Sequence, residues 1–391
     1  MTLGAASGMA YRRLGASGLE VSPLCLGTML FGSRTDEAEA ARIVGSARDA
    51  GVNFIDTAVS YAGGQGETIL GELLAGDRDW WVIATKVGSR TGPGPNEDGT
   101  SRRQIGVSIE RSLRRLRTDH VDLYYLHRDD PATPLAESLS AVGDLIRAGK
   151  VRYLGLSNFR GWRLAEAVGL CRELGMPAPI ALQPYYHALN RQPEVELLPA
   201  AAHFGLGVVP FSPLARGMLT GKYRPGEPPP ADSRAGRADP DLMRREWREE
   251  SLQVVAELRR HAEAKGMTTG QFALNWLLGN EVVSAVLAGP RTLEQWTEYL
   301  DALAFGFDAE DAALVDRLVP PGYPSTYGYH DPNFPVVGRV ARVEPPPGPE
   351  PAYRLSPGGP SRASKPVRPS AAQARPPRPL FDAEASLVLA A

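Results

Sequence analysis

Eight times between residues 24 and 303 a short apolar run is followed by a stretch with helical spacing, and this alternation restricts the fold more than any other feature of the chain. The runs fall at 24–29, 52–55, 81–86, 121–127, 153–158, 180–183, 207–212 and 282–289. Helical patterns follow at 36–50, 67–74, 101–116, 135–148, 164–174, 194–204, 246–265 with 269–278, and 292–303, and a last one spans 309–318. Continuous apolar runs of this length suit strands buried on both faces, as in a parallel sheet covered by helices. Eight such units predict an α/β fold of the (β/α)8 TIM-barrel type. A doubly wound sheet would place a glycine-rich phosphate fingerprint after the first strand. The turn found there, Gly27-Thr28-Met29-Leu30-Phe31-Gly32, lacks it, and Gly205-Leu206-Gly207 precedes a strand instead of following one. Two polar-apolar pieces around Gly15 and Gly18 predict an N-terminal β-hairpin ahead of the barrel.

Composition sets the remaining bounds. A hydrophobic content of 43% and a charged content of 23% are those of a globular protein. The net charge of -2 gives no electrostatic reason to expect nucleic acid or an anionic membrane as partner. Two cysteines, Cys25 and Cys171, are too few for a disulfide framework and suit a reducing compartment. With no basic, apolar leader and no spanning-length apolar run, the expectation is a cytoplasmic protein. The barrel is expected over 1–335. From 336 to 391 the chain holds 12 of its 35 prolines and more basic than acidic residues. Such a segment buries too little apolar surface to offset its ordering entropy, so a disordered tail is expected, with docking to a proline-binding partner as the alternative.

In a barrel of this kind the functional groups gather at the C-terminal ends of the strands. Those ends carry Asp56, Lys86 and His127 on the second, third and fourth strands, and Tyr61 lies in the loop after the second. Singly each has a plain structural explanation: a turn cap, a packed tyrosine, an ion-paired lysine, a buried histidine. At successive strand ends they form a set. A lysine beside a tyrosine stabilises the phenolate and is expected to lower the phenol pKa. Asp56 would hold the lysine charged and oriented, and His127 would position an oxygen to receive the tyrosine's proton. The set suits protonation of a carbonyl oxygen while a cofactor delivers hydride to its carbon. No metal is expected.

These residues resemble the Asp, Tyr, Lys and His tetrad of the aldo-keto reductase family. The resemblance covers roughly 11–318 through Phe54-Ile55-Asp56-Thr57-Ala58 with Tyr61, Ala84-Thr85-Lys86, Asp122-Leu123-Tyr124-Tyr125-Leu126-His127, and 149–159 with its Ser157-Asn158 pair. It implies that Ser157, Asn158 and Gln183 hold a nicotinamide carboxamide and that Phe211 stacks on the ring, where many relatives have tyrosine. Ser212, Pro213, Leu214, Arg216, Gly217 and Lys222 resemble the loop that embraces the pyrophosphate. Gly289, Arg291, Gln295 and Glu298 resemble the segment at the adenosine end, with Tyr299 in place of the family's asparagine and Pro290 in place of a common alanine. Arg291 implies NADPH as cofactor, through a 2′-phosphate. Retention of His127 implies carbonyl reduction over reduction of a carbon-carbon double bond.

Met29, Phe31, Tyr185, Tyr186 and the loop 89–100 are expected to line the pocket for a small carbonyl substrate. Two other functions stay open: an NADP(H)-sensing regulatory subunit with little turnover, and a Schiff-base lyase acting through Lys86.

Overall fold

The computed structural model describes residues 8–332, 334–336 and 338. The expected proline-rich tail therefore lies, Val336 and Gly338 apart, outside the described residues. A short antiparallel hairpin, β1 (Arg12–Arg13) and β2 (Glu20–Val21), opens the chain. The parallel strands β3 (Leu24–Gly27), β4 (Phe54–Asp56), β5 (Val82–Val87), β6 (Val121–Leu126), β7 (Val151–Ser157), β8 (Ala181–Gln183), β9 (Gly207–Val208) and β10 (Val286–Ala288) follow. They neighbour one another in chain order, and β10 returns to pair with β3. Between β9 and β10 a parallel bridge, Val208 to Val283, completes the ring, with Val208 N donating to Val282 O (2.9 Å) and Ser284 N to Val208 O (2.9 Å). The architecture is the (β/α)8 barrel that the alternation predicted.

The helices are α1 (Glu37–Asp49), α2 (Gln65–Leu73), α3 (Arg102–Leu116), α4 (Leu135–Arg147), α5 (Gly161–Glu173), α6 (Leu197–His203), α7 (Pro240–Arg245), α8 (Glu249–Ala264), α9 (Thr269–Leu278), α10 (Leu293–Asp301) and α11 (Ala309–Leu318). Their limits follow local chemistry. Ser101 caps α3 by accepting from Gln104 N, and Ile105, Ile109, Leu113 and Leu116 then bury one face at helical spacing. Each such side chain contributes about 1.5–3 kcal/mol on burial. Thr268 with Gln271 forms a capping box at α9, and Asp308 with Asp311 forms another at α11.

Inside the barrel, Cys25, Phe54, Val82, Ala84, Leu123, Tyr125, Ala181, Val209 and Ala285 fill the lumen, and Leu14 and Val21 of the hairpin region join them. The hairpin thus plugs the N-terminal end. Gly15 makes this possible: its φ is 61°, and a Cβ there would meet Gly205 O at 2.3 Å.

Three expectations change in detail. The strand expected at 207–212 pairs regularly only over Gly207–Val208, because Pro210 has no N–H and Ser212 turns left-handed at φ 57°. The helix expected at 194–204 breaks into a turn at Gln192–Glu194 and α6. That expected at 246–265 starts at Glu249, because Arg248 is extended, and the separate α7 precedes it, capped by Asp239 with Pro240 in its first turn.

Candidate active site

Register places the tetrad. Asp56, the last residue of β4, lies opposite Gly27 and Ala84. Lys86 sits two residues further along β5, so its side chain points into the same mouth of the barrel. Lys86 is fully buried and all three ammonium protons have acceptors: the Asp56 carboxylate, Thr57 O at 2.7 Å and the Tyr61 hydroxyl at 3.2 Å. Because the phenol oxygen accepts from Lys86, its own proton is left for another acceptor. Burial opposes the lysine's charge, yet Asp56 and then Tyr61 outweigh it and hold its pKa above 10.5. Burial lifts Asp56 above its ordinary value, while Lys86 and Gln183 restrain it. Tyr61 corrects the sequence expectation: burial raises its pKa above 10.0 and outweighs the lowering by Lys86. The lysine limits the rise; it does not reverse it.

His127 follows β6 directly, its N–H donating to Val87 O at 2.7 Å. Its ring stands edge-on to that of Tyr61, centroids 6.1 Å apart. Burial, then the charges of Lys86 and Arg128, push its pKa down to about 3, so the ring is neutral at ordinary pH. Its Nδ1 lies 3.2 Å from Ser89 Oγ. Donation by the serine to Nδ1 would leave the imidazole proton on Nε2. Sequence reasoning named Ser89 only as a loop boundary; nothing in its spacing signals a partner for a histidine on another strand.

The residues assigned to a nicotinamide carboxamide gather beside the tetrad. Ser157 Oγ donates to Gln183 O (2.9 Å), and Asn158, left-handed at φ 56°, donates through Nδ2 to His127 O (2.8 Å). The Gln183 amide donates to Asp56 Oδ2 at 3.0 Å, which ties this seat to the tetrad. Phe211 lies three residues beyond β9 with its ring centroid 5.6 Å from that of Tyr185. Beyond it, Pro213 and Leu214 are buried, and Ser212, Ala215, Arg216 and Gly217 take φ of 57, 46, 55 and 101°. Ala215 N donates to Ser212 O and Gly217 N to Leu214 O, both at 2.8 Å, so the left-handed residues fold this segment into a tight turn. Arg216 Nε is buried with no hydrogen-bond partner among the described residues, and Lys222 Nζ stands 3.3 Å from where a Cβ on Gly217 would sit. Arg216, held only at long range by Glu246 (3.9 Å) and Asp241 (3.8 Å), keeps a buried donor that fits a pyrophosphate.

Of the residues expected at an adenosine end, Gly289 follows β10 and packs near Gly27 O. Arg291 is exposed, its backbone held by Gln295 Oε1 (2.9 Å) and by the Thr35 hydroxyl on its carbonyl (2.9 Å). Glu298 is engaged by Thr268 at 2.8 Å.

The expected pocket wall is only partly present. Met29 is 47% exposed and available, but Phe31 is fully buried in the layer between barrel and helices. Tyr185 is also buried, its hydroxyl given to Glu246 and its ring covered by the Arg245 guanidinium at 4.1 Å. Tyr186 turns away to Glu194 at 2.7 Å. Among the described residues no group of three or more His, Cys, Asp or Glu could hold a metal ion. No helix among them is long and apolar enough to cross a membrane.

Barrel and strand-end tetrad together define an oxidoreductase class. The Aldo/keto reductase family profile matches residues 23–320, and the chain belongs to that family. It is 40% identical over 324 residues to an uncharacterized oxidoreductase, YrpG, of Bacillus subtilis, covering 80% of this chain and 96% of that protein. A probable voltage-gated potassium channel subunit beta of Arabidopsis thaliana is 38% identical, covering 75% and 91%. L-glyceraldehyde 3-phosphate reductase of Escherichia coli K12 is 35% identical, covering 80% and 93%.

Proposed function

We propose that this oxidoreductase reduces an aldehyde or ketone to an alcohol with NADPH, Tyr61 supplying the proton. The observation that carries the reading is the saturated Lys86 ammonium, which donates to Asp56, to Thr57 O and, at 3.2 Å, to the phenol oxygen. The phenol must therefore offer its hydrogen outward. A neutral His127 with its proton on Nε2 can donate to the same carbonyl oxygen and fix its position. When bound, the nicotinamide would supply the hydride. As the carbonyl oxygen gains charge it takes the Tyr61 proton, and the phenolate left behind is stabilised by Lys86. Ser157, Asn158 and Gln183 would orient the carboxamide, Phe211 the ring face, Arg216 and Lys222 the pyrophosphate, and Arg291 the 2′-phosphate.

The relative named as an L-glyceraldehyde 3-phosphate reductase supports an aldehyde among the substrates. NADPH consumption with a panel of aldehydes and ketones, wild type against Tyr61→Phe, tests the proposal. Loss on the order of 10²–10⁴-fold is expected for removal of a general acid; equal turnover would sink it.

The channel-subunit relatives favour a second reading, a cofactor sensor with little turnover. Tight NADPH binding with negligible reduction of every carbonyl tried would select it. The Schiff-base alternative loses ground on charge: Lys86 is held protonated by Asp56, and an ammonium is no nucleophile.

A further inference from the structure

Tyr61 opens an irregular turn that joins β4 to α2. Ala62, Gly63 and Gly64 after it take φ of 47, 66 and 99°. Alanine reaches that region only when its surroundings over-determine it. The restraint comes from the end of α3. Arg115 Nη1 donates to Val59 O (3.2 Å) and Glu67 Oε2 (3.2 Å), and Nη2 donates to Gly63 O (3.5 Å). A Cβ on Gly64 would lie 2.1 Å from Arg115 Cζ, so the guanidinium is packed directly against that glycine.

The chain of contacts continues inward. Glu67 is fully buried, and its other oxygen accepts from the Thr85 hydroxyl at 2.7 Å. Thr85 immediately precedes Lys86 on β5. Val59, whose carbonyl Arg115 holds, gives its own N–H to Lys86 O at 3.3 Å. One relay from Arg115 through Glu67 to Thr85 therefore grips both the turn that bears the phenol and the strand that bears the ammonium.

We infer that Arg115, Glu67 and Thr85 are positioning residues that set the separation of Lys86 Nζ from the Tyr61 hydroxyl, and through it the acidity of the phenol. None of the three contacts the tetrad's proton-transfer atoms. Arg115 keeps 30% of its side chain exposed, so charge attraction to Glu67 is screened and the three directed hydrogen bonds carry the role. A lysine would keep the charge but lacks the planar fork that reaches three acceptors. The consequence for catalysis rests on the reading of Tyr61 as proton donor.

The test compares Arg115→Met, Arg115→Lys and Thr85→Val with wild type. Four quantities are measured: the Tyr61 titration midpoint, from phenolate absorbance against a matched Tyr61→Phe background; kcat against pH; NADPH affinity by fluorescence; and Tm. Arg115→Met and Thr85→Val should raise the midpoint and lower kcat by roughly 10- to 100-fold, since a displacement of about 1 Å can cost 10²-fold. NADPH affinity should hold within about twofold, as expected for groups acting on the transition state only. Arg115→Lys should fall between. An unmoved midpoint overturns the inference, whether kcat is unchanged or falls only as Tm falls. Should wild type and Tyr61→Phe turn over equally, the catalytic reading fails, while the midpoint still decides whether the relay positions the phenol.

Discussion

Asp56 and Glu246 are both fully buried carboxylates near the mouth of one barrel, and their surroundings push them in opposite directions. Asp56 ends a strand, pairs with Lys86 and accepts from Gln183, yet burial leaves its pKa above the ordinary value. Glu246 lies between α7 and α8. Burial would raise it too, but His187, the Tyr185 hydroxyl and Arg245 outweigh burial and bring it down to about 2. Asp56 thus holds one cation that itself donates to the Tyr61 hydroxyl. Glu246 is met by the Tyr185 hydroxyl, by His187 Nε2 at 3.7 Å and by Arg216 Nε at 3.9 Å, so it gathers loops around a fixed negative charge. The buried acid at the strand end is tied to one cation; the buried acid between the helices is tied to several loops.

The strongest way to break the comparison is Lys86→Met. It leaves Asp56 buried without its cation, which costs about 3–5 kcal/mol. Turnover should fall on the order of 10³-fold or more, as for loss of acid-base machinery. The sign with pH is specific. A carboxyl with a raised folded pKa binds its proton more readily when folded, so the deficit in this variant should shrink as pH falls and Asp56 protonates. Chemical denaturation at neutral and acid pH checks it. A deficit independent of pH would mean that Asp56 does not carry the charge.

Glu246→Gln should act through the other limb. The folded value of about 2 lies below the ordinary 4.5, so the stability this group contributes is fully present above 4.5 and is lost as pH falls from there toward 2. The difference corresponds to about 3 kcal/mol. The variant should be less stable than wild type by about that amount at neutral and alkaline pH, and the gap should close as pH falls, giving a correspondingly flatter acid limb. Identical acid unfolding of variant and wild type would remove the proposed charge network around Glu246.

The same pair shows what the sequence discloses. Asp56, Lys86 and His127 were legible because a short continuous apolar run ending on a polar group fixes both the strand and the end of the barrel on which that group emerges. The alternation likewise revealed the eight units, since strands buried on both faces leave a continuous apolar trace. Glu246 left no such trace: it follows a loop rich in proline and glycine, and its partners Tyr185 and His187 are some sixty residues earlier in the chain. Tyr185 and Phe31 were misjudged for a related reason. Position after a strand end says that a side chain is near the mouth, but whether it faces the opening depends on loops whose path local pattern does not encode. The rise of the Tyr61 pKa was missed because proximity to a cation is legible in sequence and the extent of burial is not.

The smallest expected effect is at Ser89. His127 is neutral down to about pH 3, so its role depends on which nitrogen carries the proton, and the only side-chain partner of its Nδ1 among the described hydrogen bonds is Ser89 Oγ. Ser89→Ala removes a hydrogen bond worth about 0.5–1.5 kcal/mol, so kcat/KM should fall by roughly tenfold or less. Both tautomers become available, but the ring stays uncharged, and no new titration should enter the pH profile between about 5 and 8, where an unperturbed histidine would change charge. Ser89→Thr keeps the hydroxyl and should recover most of the loss. If the alanine variant instead gains a titration near the ordinary histidine value of 6.5, the serine is holding the ring in its buried, neutral environment as well as fixing the proton on Nε2.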